Sequence, residues 1–201
     1  MRLLPGALVA LFSAAGPLSA QSTAPAWHVS AAVEALRFAS AAQQTGAAPS
    51  PVDLRPSGRL GLRIGLARHL GAWSLGASLG WASGDIEASN DNVAIRDRGV
   101  DLTRRRLALS LERRVARLGG GELAAGVGPT IDLWSVSGDT RARVGAEAEM
   151  AVRLPLGAVA LENRLVFGMS ASPVEKTDVG GGFRLSSLKT LGYVVGLRLP
   201  L

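Results

Sequence analysis

From Trp27 onward, apolar residues alternate with polar or small ones over long stretches. Trp73, Leu75, Ala77, Leu79 and Trp81 interleave with Ser74, Gly76, Ser78 and Gly80. Leu60, Leu62, Ile64 and Leu66 interleave with Arg59, Gly61, Arg63 and Gly65. Ala142 to Leu154 and Leu191 to Leu201 repeat the pattern. A period of two describes a strand with two chemically opposite faces, whereas a helix would show a period near 3.6. Weaker alternation over residues 27–38, 107–112, 123–133 and 159–169 brings the predicted number of strands to eight. In the first of these, Leu36 and Phe38 change phase. In the last, Asn163 falls among the apolar positions. Residues 104–118 also fit a helix with Leu107, Leu111, Val115 and Leu118 on one side, and residues 31–43 fit an alanine-rich helix.

The connections carry a second pattern. Residues 40–57, 83–99 and 170–188 are long and polar, while 69–72, 116–121 and 155–157 are short. Residues 135–140 are short where the alternation calls for length. This asymmetry matches membrane barrels, which have short periplasmic turns and longer external loops, and it puts both ends of the strand region on the periplasmic side. Ahead of the strands, Arg2, an apolar stretch and Leu18-Ser19-Ala20 read as a secretory signal peptide spanning residues 1–20, cleaved between Ala20 and Gln21. The domain that follows is 21–201.

Alternation alone does not say which face meets hydrocarbon. In a soluble barrel the apolar face points inward; in a membrane barrel it points outward. Arginine cost decides between them. One arginine at the lipid midplane costs roughly 2–4 kcal/mol. Exposing Arg59, Arg63, Arg143, Arg153, Arg164 and Arg198 together would exceed the ~5–15 kcal/mol by which a domain is stable. The expectation is therefore a lumen charge network of Arg59, Arg63, Glu112, Asp132, Arg143, Glu147, Glu149, Arg153, Glu162, Arg164 and Arg198. Arg104 to Arg106 and the Arg113, Arg114, Arg117 group are read as lying toward strand ends, where that cost is small. Trp27, Trp73 and Trp81 are expected to form an aromatic girdle at the hydrocarbon boundary.

Composition narrows the chemistry. The 201-residue chain carries a net charge of +6, no cysteine and two histidines, with a mean hydropathy of +0.23. Disulfides, thiolate metal sites and a cysteine nucleophile are excluded, and no metal or cofactor is expected. Pairing inside a lumen accounts for the basic excess and argues against nucleic acid. Gly76-Ala77-Ser78-Leu79-Gly80 has the spelling of a nucleophile elbow, but that motif needs a strand-to-helix turn and a later histidine. Both His28 and His69 precede Ser78.

The alternating faces and the last strand, Leu191 to Leu201, resemble the small eight-stranded outer-membrane barrels of the OmpA, OmpX and opacity-protein kind. The resemblance covers nearly all of residues 26–201. It implies an all-β, antiparallel up-and-down transmembrane barrel in the cell outer membrane, non-enzymatic and monomeric. It further implies contact with outer-membrane lipid and lipopolysaccharide, and recognition of the C-terminal strand by the barrel-assembly machinery. Such strands usually end on an aromatic residue; here Pro200 and Leu201 stand instead, with Tyr193 earlier on the same face. The surface role would fall to residues 40–57, 83–99 and 170–188. Other readings are a lipid A deacylase-like enzyme using His28, Ser30 and Glu34, a narrow channel, and a soluble periplasmic barrel.

Overall fold

A hydrocarbon layer offers no partner to a backbone N–H or C=O, so a spanning sheet must close on itself. A computed structural model describes residues 27–45, 51–58, 60–90, 94–136, 138–179 and 182–201. The expected signal peptide with its Ala20–Gln21 cleavage site, and Arg59, lie outside the described residues.

Eight strands form the wall: β1 (Trp27–Phe38), then, after two short strands β2 (Ala42–Gln44) and β3 (Asp53–Pro56), β4 (Leu60–Leu70), β5 (Trp73–Ser89), β6 (Ala94–Leu118), β7 (Gly121–Val136), β8 (Asp139–Leu156) and β9 (Val159–Ser170). A one-turn helix α1 (Lys176–Val179) and a short strand β10 (Phe183–Leu185) precede the last wall strand, β11 (Leu188–Pro200). Each wall strand is antiparallel to its neighbours, and β11 pairs with β1 from His28↔Pro200 to Phe38↔Thr190, which closes the barrel. Residues 104–118 and the β1 part of 31–43 are strand, so both helical alternatives are corrected.

Register fixes the dimensions. Stepping across paired residues from Trp27 through Arg68, Leu75, Leu111, Val127, Ala148, Phe167 and Leu191 returns to β1 at Arg37, a shift of 37 − 27 = 10 residues. With neighbouring strands ~4.8 Å apart and a rise of ~3.3 Å per residue, that stagger tilts the strands by about 40°. Gly71, Gly119 and Gly157 each open a tight periplasmic turn at φ of 69°, 59° and 68°. Those left-handed values suit a residue without a Cβ.

The segment read as a polar loop over 83–99 is largely strand. β5 and β6 continue upward as a hairpin, with a bulge between Gly84 and Ile86. The extension of β5 carries β3, β2 and β10 as successive antiparallel neighbours. The loop prediction failed because Gly84, Asp85, Asn90 and Asp91 resemble turn residues while the strand leaves the membrane and no longer needs an apolar face.

One spot in the wall is unusually close. Pro129 has no N–H for the ladder, and the β6–β7 pairing skips from Ala108↔Thr130 to Leu111↔Val127. A Cβ added at Gly128 would overlap the Leu109 carbonyl, whereas one at Gly120 would meet its nearest atom only at 3.6 Å. Gly128→Ala is therefore expected to cost about 3 kcal/mol or more, by backbone strain at a packed site. Urea unfolding in detergent checks this, with Gly120→Ala close to wild type.

Candidate functional site

The inward faces of the wall carry charge, and glycine makes the room. A Cβ on Gly126 would press on the Glu112 and Glu149 side chains at 2.8 and 3.1 Å. Two clusters fill the column. In the upper one, fully buried Asp132 accepts from Arg104 Nε at 2.9 Å and from Arg106 Nε at 2.7 Å. Arg106 Nη1 goes on to Glu147 at 3.0 Å, and Arg63 reaches the same carboxylate at 2.7 Å while donating to Ser78 Oγ at 3.0 Å. In the lower cluster, Arg153 donates to Glu162 at 2.6 Å, to Glu122 at 2.9 Å and to Glu112. Arg164 joins Glu162 at 2.8 Å, Glu112 at 3.1 Å and Glu149. Glu34, also buried, lies on the inward face of β1.

The outward faces are oily. Leu60, Leu75, Val144 and Leu197 are 70%, 56%, 72% and 45% exposed, whereas Arg63 and Glu147 are 7% and 3%. That is the membrane arrangement and not the soluble one. Asn163, the polar residue on the oily side of β9, accepts a hydrogen bond from the Tyr193 hydroxyl at 2.8 Å. Trp27 and Trp73 lie at the periplasmic rim beneath Arg68 and Arg113, whose guanidinium carbons stand 5.6 and 5.5 Å from the ring centroids. Trp81 is eight residues above Trp73 on the same outward face, about 20 Å along the axis at this tilt.

Above Trp81 the polarity of the two faces reverses. Inside, Leu36, Phe38, Leu102, Trp134, Val136 and Leu188 form an apolar cap with Ala41 and Val174. Arg104 stacks between Phe38 and Trp134, at 5.6 and 5.4 Å from their centroids. Outside, Arg37, Arg105 and Lys189 are exposed. The segment after β9 folds over the cap and is latched there. Arg143 donates to Glu175 and to the Ser172 carbonyl, both at 2.6 Å; Arg141 donates to Asp178; and Ser172 Oγ donates to the Ala41 carbonyl at 3.0 Å.

The periplasmic end is a vestibule of about 540 Å³. There His69 Nδ1 contacts Ser74 Oγ at 2.7 Å while its Nε2 faces Arg198 Nη2 at 3.1 Å. A guanidinium only donates, so Nε2 is the bare nitrogen and Nδ1–H points at Ser74. Ser74 therefore accepts and is not activated as a nucleophile. Among the described residues no cluster of three or more metal-ligating side chains occurs.

The structure distributes the sequence-chosen residues as follows. Arg63, Glu112, Asp132, Glu147, Glu149, Arg153, Glu162, Arg164 and Arg198 face the lumen. Arg143 is corrected: it belongs to the extracellular latch and not to the ionic column, because it stands above Glu147 on β8, beside Glu175. Arg104 and Arg106, read as tolerable strand ends, are central to the column. Their alternation with Asp132 on β7 was the available signal, but the run of three arginines masked it, and Arg105 does point outward. His28, Ser30 and Glu34 all face inward, away from lipid. Ser78 lies mid-strand on β5, not on a turn.

Removing one member of a buried ion pair strands the other and typically costs 3–5 kcal/mol. Asp132→Asn, which leaves Arg104 and Arg106 short of a charge, is expected to lose about that much on urea unfolding. Glu87→Gln, which breaks the Arg55–Glu87 pair above the membrane, where Arg55 is 37% exposed, should lose less, about 1 kcal/mol. The latch has its own pH dependence. Hydrogen bonding from Arg141 holds the Asp178 carboxyl below its ordinary value. A depressed carboxyl stabilises the latch above the unfolded value of about 3.9, and that contribution is lost as pH falls through the lower folded value. Hydrogen-exchange protection over residues 171–179, taken relative to the intrinsic rate at each pH, should hold from pH 7 to 5 and fall only below about pH 4.

No protein-family model matches the chain, and no curated protein matches its sequence. Solved structures match in shape. The neisserial surface protein A (NspA) has a TM-score of 0.58 and 11% identity, covering 90% of this chain and 100% of that one. The outer membrane protease OmpT from Escherichia coli has a TM-score of 0.52 and 7% identity, covering 91% and 99%. With a closed eight-stranded wall, an oily outside and a charged lumen, the chain has the fold of the small outer-membrane β-barrels and spans the membrane as they do.

Proposed function

We propose that this barrel is a non-enzymatic, monomeric protein of the outer membrane, acting in envelope integrity or surface interaction through its extracellular face. The observation that carries this reading is the closed lumen. Its middle is filled by paired arginines and carboxylates, and its outer end by the Phe38–Trp134 cap beneath the latched segment. Among the described residues, this filling separates an outer hollow of about 380 Å³ beside Arg143, Glu175 and Ser186 from the periplasmic vestibule. What the cell surface is offered is the β5–β6 hairpin, the small sheet it carries and the segment over the cap.

Lipid supplies the remaining partners in this reading. Arg37, Arg105 and Lys189 face outward just above Trp81, at the level where phosphates of an outer-leaflet lipid such as lipopolysaccharide would stand. No ion pair to these three occurs among the described residues. The outward face of β11, with Leu191, Tyr193, Val195, Leu197 and Leu199, is the strand offered to the barrel-assembly machinery, with Tyr193 in place of a terminal aromatic. An enzymatic role finds little support: Ser30 and Ser78 face the lumen, and Ser74 is held as an acceptor.

Experiments in planar bilayers and in cells test the proposal. In planar bilayers the wild-type barrel should be silent, and defined single-channel steps would instead establish a pore. In cells, a heat-modifiable band should fractionate with the outer membrane. Removing residues 86–97 should abolish surface interaction while leaving that band intact; lipid A deacylation lost on Ser30→Ala would instead establish the enzyme.

A further inference from the structure

Arg198 is 5% exposed, yet it is poorly matched. Of its five N–H donors, one hydrogen bond goes to His69 Nε2 at 3.1 Å. Its nearest carboxylate oxygen, on Glu162, is 3.7 Å away. Glu162 is already held by Arg153 at 2.6 Å and Arg164 at 2.8 Å. A buried guanidinium normally meets a carboxylate or phosphate through two parallel bonds. Arg198 has instead a neutral imidazole and a distant, shared charge.

The space beside it fits a ligand. Arg198 lines the periplasmic vestibule of about 540 Å³ together with His28, His69, Arg117, Glu122 and Arg153. It also lines a second void of about 40 Å³ above, shared with His28 and large enough for water. The vestibule is within the size range of small-molecule sites. Its lining repels cations: Glu122 is bound to Arg153 at 2.9 Å, and Arg117 and Arg198 add positive charge. The Ser74–His69 contact at 2.7 Å fixes the imidazole that holds Arg198, while His28 packs edge-on to His69 with centroids 4.6 Å apart.

We propose that the periplasmic vestibule binds a small oxyanion, phosphate or carboxylate, taken by the planar fork of Arg198, with His69 as the residue that positions it. The guanidinium supplies paired donors to two oxygens of one anion. His69, an acceptor toward Arg198, does not compete for the anion.

The test uses the full chain refolded in detergent micelles, with the ring resonances of the two histidines followed by NMR. Inorganic phosphate and acetate are titrated separately at constant ionic strength set with chloride. Saturable shifts at His28 and His69 are expected, weakened tenfold or more by Arg198→Gln and unchanged by Lys189→Gln. Saturation with phosphate alone assigns the site to phosphate groups, with acetate alone to carboxylates, and with both to the shared oxyanion chemistry. If Arg198→Gln loses its heat-modifiable band, Arg198→Lys keeps the charge, removes the fork and should show the same weakening. Shifts that fail to saturate with either anion, or that persist unchanged in the folded variants, overturn the proposal.

Discussion

Inside hydrocarbon every polar group must find its partner within the protein, and this chain meets that constraint twice. The backbone meets it by closure: β11 joins β1, and no strand edge within the wall is left facing lipid. The side chains meet it by pairing across strands distant in sequence. Arg106 on β6 holds Asp132 on β7 and Glu147 on β8, while Arg153 on β8 draws together Glu112, Glu122 and Glu162 from β6, β7 and β9. Closure creates a narrow interior, and the interior forces long charged side chains to meet. An eight-stranded barrel has little more room than its side chains occupy.

This dependence explains what could be read from the chain and what could not. The strand faces between the girdles were legible because lipid on one side and a polar lumen on the other impose one rule throughout. Leu36 and Phe38 looked like a phase error on β1. They are in phase: Glu34, Leu36 and Phe38 all point inward, and it is the lumen that turns apolar above the ionic column. Trp134 and Val136 do the same on β7, and Leu102 on β6. Outside, Arg37 and Arg105 mark the same level. Above it the barrel obeys the rule of a soluble protein, apolar inside and charged outside, so a reading tuned to the membrane rule mistook strand for loop over 83–99.

The lower site was illegible for a different reason. Nothing in sequence joins Ser74, His69 and Arg198, which come from the first periplasmic turn and the last strand. Only closure puts β11 next to β1 and the β4–β5 turn beneath both. His28 and His69 stand out in the sequence as its two histidines, but their contact depends on the Trp27↔Arg68 register. Conversely, Asn163 breaks the apolar face of β9 in sequence, and its partner is Tyr193, two positions offset on the neighbouring strand.

The ionic column need not add much net stability to matter. Desolvation of buried ions offsets much of their attraction, and apolar residues of similar volume can do as well. Its effect on alternatives is larger. Side chains in a strand alternate with a period of two, so a one-residue slip sends a whole face to the other side. Slipping β8 alone would put Glu147, Glu149 and Arg153 into lipid and leave Arg63, Arg106 and Arg164 facing apolar side chains. Slipping β6 would do the same to Arg104, Arg106 and Glu112. An arginine at the midplane costs roughly 2–4 kcal/mol, before the stranded partners are counted. Each misregistered barrel thus forfeits a large part of the ~5–15 kcal/mol that holds a domain together. The charges specify which barrel forms, while the oily exterior specifies only that one does.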